Sequence, residues 1–128
     1  MVGAGRGNTL IVDDEADIRL LLQLTIEREN EGLQVVGEAA SGDEALVVRR
    51  ALDVDVVVLD YRMPGLNGLE TATAMLLEAP DLPIVLYSAF TDEQMEADAR
   101  RVGVRECVDK QDGARLIAVL RELTGLAQ

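Results

Sequence analysis

Two periodicities alternate along the chain. Short apolar runs occupy Asn8–Val12, Gln34–Ala39, Val54–Asp60, Leu82–Ser88 and Arg105–Asp109. Each has strand length. Between them, apolar positions recur at helical spacing. Ile18, Leu21, Leu22 and Thr25 share a stripe within Glu15–Glu29. Ala45, Val48 and Leu52 form a second stripe, Leu69, Ala72 and Leu76 a third, and Met95, Ala99 and Val102 a fourth. Leu116, Leu120 and Leu123 form a fifth, within Asp112–Leu123. Helix starts are marked by side chains that accept from freed N–H groups: Ser41 with Glu44, Asn67 with Glu70, Thr91 with Gln94, and Asp14 before the first helix.

Five β-α units in strict alternation predict an α/β fold, a doubly wound five-stranded parallel sheet with helices on both faces. The third strand is the most apolar, which suits a central position buried on both faces. The second and fifth carry Gln34, Glu38, Arg105 and Glu106, which suits edges. The order 2-1-3-4-5 satisfies both. One domain is expected over residues 8–124, after a Gly-rich leader at 1–7 and before a tail or linker start at 125–128. The leader's spaced glycines lack the preceding strand that a dinucleotide-binding loop requires.

Composition narrows the function. Of 128 residues, 48% are hydrophobic, enough for a core despite a net charge of −12. Only Tyr61, Tyr87 and Phe90 are aromatic, so the core is aliphatic. The acidic balance argues against direct nucleic-acid binding by this domain. Cys107 is the only cysteine and has no internal disulfide partner. No run approaches the length of a membrane span. The expectation is a cytoplasmic domain with no membrane association.

Strand ends collect the chemistry. In an open α/β sheet, ligands bind beyond the carboxyl ends of the strands, where the strand order reverses. Strand one ends in Asp13-Asp14, strand three in Asp60, strand four in Ser88 and strand five in Lys110. Converging carboxylates repel, and a hard divalent cation such as Mg²⁺ relieves them. A carboxylate, a metal, a hydroxyl and an ammonium together suit a phosphoryl group. Lys110 is the only lysine, against eleven arginines. A compact ammonium at this place is therefore a specific choice.

These residues resemble the receiver domain of two-component response regulators. The resemblance rests on LIVDD (Leu10–Asp14), LDYRMP (Leu59–Pro64) with Gly68, VLYSA (Val85–Ala89), and Gly103 with Lys110. It implies a flavodoxin-like receiver fold in which Asp60 is the phosphoacceptor. Asp14 would ligate Mg²⁺ directly, Asp13 through water, and the Arg62 backbone carbonyl would add a ligand. Ser88 would bond the phosphoryl oxygens and Lys110 would pair with the phosphate. The donor would be the phosphohistidine of a sensor histidine kinase. The output, through an effector domain outside this chain, would be transcription, with a possible homodimer through the fourth helix, fifth strand and fifth helix.

Two positions depart from the family pattern. Cys107 stands where receivers often carry Tyr or Phe, so an aromatic switch is absent there. Gln111 stands where Pro often follows the lysine, so a trans peptide is expected, as in the subgroup with LuxR-type output domains (NarL/FixJ). Arg62 and Phe90 are expected to govern how water reaches the acyl phosphate. Other readings use the same residues. A stand-alone receiver, or a phosphorylation-independent interaction module, would keep the fold. A haloacid-dehalogenase-type phosphatase needs a second Asp two residues after the nucleophile, where Arg62 stands. Singly, each residue has a plainer role: Asp13-Asp14 as helix-start charges, Ser88 as a strand-end hydroxyl, Met63-Pro64-Gly65 as a turn.

Overall fold

The computed structural model describes residues 7–29 and 32–126. Residues 1–6 of the expected leader and 127–128 of the expected tail lie outside it. Five strands and five helices alternate: β1 (Asn8–Val12), α1 (Ala16–Glu29), β2 (Gln34–Ala39), α2 (Gly42–Ala51) and β3 (Val56–Leu59) form the first half. α3 (Gly68–Glu78), β4 (Ile84–Ser88), α4 (Glu93–Val102), β5 (Glu106–Asp109) and α5 (Gly113–Leu123) complete it. The strands are parallel in the order β2-β1-β3-β4-β5, with the polar strands at the edges as expected.

Strand pleat explains why β3 reads as an unbroken apolar run. Successive side chains point to opposite faces, and both faces are covered. Val57 and Leu59 join Leu10, Leu86, Ala72 and Met75 on the face of α2, α3 and α4. Val56 and Val58 join Ile11, Val85, Ile26 and Leu120 on the face of α1 and α5. The whole of β3 is buried.

Several local expectations need correction. β3 begins at Val56 rather than Val54 and ends at Leu59, because Val54 lies before the register with β1 and Asp60 just past it. β4 begins at Ile84 and β5 at Glu106. In α1 the buried stripe is Leu22 and Ile26, with Ile18 packed beside them. Leu21 is 59% exposed, since one residue off the i, i+4 row rotates it out of the core. The α4 cap is Asp92, not Thr91: its Oδ1 accepts from the Met95 N–H at 2.8 Å. A carboxylate there also answers the positive helix end. Ser41 caps α2 by accepting from Glu44 N–H, but Glu44 reaches back to the Ala40 N–H instead of Ser41. The Asn67–Glu70 capping box of α3 is complete. Asp14 does not cap α1; Asp13 Oδ1 accepts from the Glu15 N–H at 2.9 Å. The Lys110–Gln111 peptide is trans, as expected.

Candidate functional site

Register brings the first carboxylates together. Val12 pairs with Leu59, so the next residues, Asp13 and Asp60, leave adjacent strands side by side. The Asp60 N–H donates to Val12 O at 2.9 Å and the Asp13 N–H to Ala39 O at 3.1 Å. Both side chains are buried, Asp13 with only 1% exposure and Asp60 with 6%. Asp14 is exposed at the rim. One carboxylate oxygen from each of Asp13, Asp14 and Asp60 lies within 4.8 Å of the others.

Lys110 reaches this group from the far side. Ser88 pairs with Asp109 across β4 and β5, which sets Lys110 just past the strand. Its Nζ stands 3.0 Å from Asp13 Oδ2 and 3.1 Å from Asp60 Oδ1. Buried Asp13 Oδ2 has no partner besides that ammonium. Burial raises the Asp60 carboxyl above its ordinary value, and the Asp13 charge raises it further. Lys110 and the Tyr61 N–H only partly oppose this. Burial alone would lower Lys110, but Asp13 and Asp60 reverse that and hold the ammonium above its usual range.

One ammonium faces three carboxylates, which leaves negative charge in excess. An all-oxygen donor set, a buried carboxylate oxygen whose one partner is the shared ammonium, and an exposed third carboxylate fit a hard divalent cation that keeps some of its water. The residues present therefore fit a metal of that class.

The loop after β3 is shaped by close packing. Gly68 begins α3 against it: a Cβ there would meet Asp60 O at 2.4 Å and Tyr61 Cα at 2.8 Å. Its N–H donates to Tyr61 O at 2.8 Å. Gly65 turns the chain at φ 78°. Met63 is buried in the α2–α3–α4 core and anchors the turn, while Arg62 is exposed.

Ser88 sits at the expected strand end but is engaged elsewhere. Its Oγ donates to Phe90 O at 2.9 Å and accepts from the Phe90 N–H at 3.3 Å. The Phe90 ring is 74% exposed and lies open to solvent. Cys107 is half-buried beside α4, and burial, with Glu96 and Glu106 nearby, raises its thiol. Arg115 donates to Cys107 O and to Glu106, both at 3.0 Å.

Two residues that sequence reasoning passed over support the site. Arg19 Nη1 donates to Asp13 O at 2.7 Å while its Nε donates to Glu38 at 3.0 Å, tying the β1–α1 loop to β2. Tyr87 directs its hydroxyl to Lys110 O at 2.8 Å. Burial raises the Tyr87 phenol, so it remains a donor at neutral pH. Tyr87 had one available signal: a polar-tipped ring in an otherwise aliphatic buried strand needs a partner.

Comparison with known proteins accords with this geometry. The family described as "Response regulator receiver domain" matches residues 9–121. Response regulator GacA of Pseudomonas syringae is 34% identical over 113 residues, covering 88% of this chain and 52% of that protein. A protein-glutamate methylesterase/protein-glutamine glutaminase of Syntrophomonas wolfei is 35% identical over 117 residues, covering 90% of this chain and 33% of that protein. The chain thus spans about half of the first relative's length and a third of the second's. Among solved structures, a LuxR-family two-component response regulator from Aurantimonas superposes with a TM-score of 0.87 at 27% identity, covering 92% of this chain and 84% of that one. The signal receiver domain of the putative response regulator NarL from Mycobacterium tuberculosis gives 0.82 at 26%, covering 92% and 95%. Both curated relatives are longer than the segment that this chain matches, and their names differ, one a response regulator and one an esterase. On its sequence, its strand order and the residues gathered at its strand ends, the chain belongs to the response regulator receiver domain family.

Proposed function

We propose that Asp60 accepts a phosphoryl group from the phosphohistidine of a sensor histidine kinase, and that the modified domain switches the output of a longer regulator. An Asp60 oxygen attacks phosphorus, the O–P bond forms, and the P–N bond breaks. The imidazole leaves with the bonding pair. Water later attacks the acyl phosphate and returns the free carboxylate. Self-phosphorylation and its reversal are the only chemistry assigned to this chain.

The observation that carries this reading is the position of Lys110 Nζ, 3.0 Å from Asp13 and 3.1 Å from Asp60. When a phosphoryl group is attached to Asp60, that ammonium is already beside it. Ser88 exchanges its bond to Phe90 O for a phosphoryl oxygen. Asp13, Asp14, Asp60 and the Arg62 carbonyl would hold Mg²⁺, which supplies positive charge to the phosphoryl oxygens when bound. Arg62 and Phe90, both exposed beside the site, set how water approaches. Phosphorylation biases two pre-existing arrangements. The face of α4, β5 and α5 carries the output, through a homodimer or an effector domain that controls transcription, in the cytoplasm. Among the described residues no helix is long and apolar enough to cross a membrane.

The test is incubation with Mg²⁺ and acetyl phosphate, read by intact mass. Wild type should gain one phosphoryl group and Asp60→Asn none. An unmodified wild type, or a modified Asp60→Asn, would refute the assignment.

A further inference from the structure

Asp60 and Lys110 account for the charge at the site, but not for what holds Lys110 still. Its side chain is long, and its own residue lies past the last paired position of an edge strand only four residues long. Among the described residues no strand pairs with the outer side of β5, so its far end is tied to the sheet through β4. Two bonds make that tie at residue 110. The Lys110 N–H donates to Ser88 O at 2.8 Å, and the Tyr87 hydroxyl donates to Lys110 O at 2.8 Å. The peptide groups on both sides of the lysine Cα are thus fastened to consecutive residues of β4.

The ring of Tyr87 is itself fixed. It is 6% exposed and packs in the α1–α5 core with Val108 and Leu116. A hydroxyl on a buried ring loses little freedom on making its bond. The Tyr87 backbone, in turn, pairs with Val108 in the β4–β5 ladder. Ser88 follows directly. The two groups that would meet a phosphoryl group from this side, the Ser88 hydroxyl and the Lys110 ammonium, are therefore carried by one rigid strap.

We infer that Tyr87 is a positioning residue for Lys110: its hydroxyl holds the lysine's carbonyl so that the ammonium and Ser88 face the phosphoryl group as a unit. This rests on the phosphoacceptor reading of Asp60. Tyr87 itself bonds neither the carboxylates nor the reacting atoms; it acts through Lys110, whose ammonium also stands beside Asp13 and Asp60.

Tyr87→Phe removes the hydroxyl and keeps the ring. Three quantities separate positioning from general support: Mg²⁺ affinity from amide NMR shifts, affinity for beryllofluoride in saturating Mg²⁺, and the rate of phosphorylation by acetyl phosphate. Mg²⁺ affinity should not fall, because a loosened ammonium repels the cation no more than an anchored one. Beryllofluoride affinity and phosphorylation rate should each fall roughly three- to tenfold, the loss of one buried hydrogen bond. In a Lys110→Ala background the same change should cost nothing further, because the lysine through which it acts is gone. An equal loss in both backgrounds, equal weakening of Mg²⁺ and beryllofluoride, or wild-type values throughout would overturn the inference. The Lys110→Ala pair keeps the test decisive even where Tyr87→Phe lowers the melting temperature, because a purely structural loss adds in both backgrounds. Failure of wild type to bind beryllofluoride at all would instead refute the phosphoacceptor reading.

Discussion

The two ends of the sheet both bury polar side chains, and they treat them in opposite ways. At the amino ends of the strands Asn8 is 8% exposed, yet each of its polar groups is paired. Its N–H donates to Asp55 Oδ2 at 2.9 Å, and its carbonyl accepts from the Asp55 N–H at 2.7 Å. Its Nδ2 donates to Asp53 O at 2.9 Å, and its Oδ1 accepts from Gln34 at 2.6 Å. At the carboxyl ends, Asp13 and Asp60 are buried as deeply, they share one ammonium, and like charges face each other. Buried polar groups that are satisfied hold a fold together; a cluster left short of partners is poised to take a ligand.

The contrast is sharpest on removal of a side chain. Asp60→Asn should abolish phosphorylation and at the same time stabilise the metal-free domain, because it removes a charge that the fold disfavours. Acetyl phosphate labelling and thermal unfolding in chelator measure the two; loss of both activity and stability would place Asp60 with the structural end. Lys110→Ala leaves two buried carboxylates without their ammonium. It should cost roughly 2 kcal/mol in chelator, less than the ~3–5 kcal/mol of a fully enclosed pair because the rim is open to water. Mg²⁺ should restore part of that loss in urea titrations. Lys110→Arg should retain more stability yet still impair phosphorylation, since a planar fork does not replace a point charge.

At the opposite end Asn8→Ala should cost about 1–3 kcal/mol, because Gln34 and Asp53 lose a buried partner, with phosphorylation rates unchanged. A large loss of phosphorylation in a still-folded Asn8→Ala would break the division between the two ends.

Titration gives a subtler distinction. The folded Asp60 carboxyl is raised above the ordinary value of 3.8. Its protonated form favours the fold, so its contribution is full below that value and is lost as pH rises through the raised one. The stability gap between Asp60→Asn and metal-free wild type should therefore widen with pH across that window. Exposed Glu78 behaves inversely. Held by Arg49 and Arg50, it is lowered from 4.5 to about 2, so its contribution is present above 4.5 and lost as pH falls toward 2. Glu78→Gln should produce the smallest change here, a few degrees at most in melting temperature, reduced by salt.

Much of this was legible before any fold was known. Strand alternation and the polar character of Gln34–Ala39 and Arg105–Asp109 led to the order 2-1-3-4-5, because parallel sheets bury the interior and leave polar edges. That order in turn brought Asp13, Asp14, Asp60 and Lys110 to one rim. What escaped was finer. Leu21 and Ile26 exchanged roles because a helix stripe shifts by one residue with little change in its spacing. Thr91 is the expected α4 cap and the next residue, Asp92, takes that place, because only backbone geometry separates adjacent acceptors.

Composition and periodicity by themselves determined the class of fold, which strands lie at the edges and which residue types end each strand, since these follow from burial and local hydrogen bonding. Tertiary structure alone decided that the Ser88 hydroxyl turns to Phe90, that Arg19 holds the Asp13 carbonyl, and that Tyr87 holds Lys110. Those bonds join residues whose partnership depends on how strands and loops meet in three dimensions, and distance along the chain carries no record of that. In Tyr87 the sequence held a buried hydroxyl in need of an acceptor; only the packing of β4 against β5 named the acceptor as the lysine of the site.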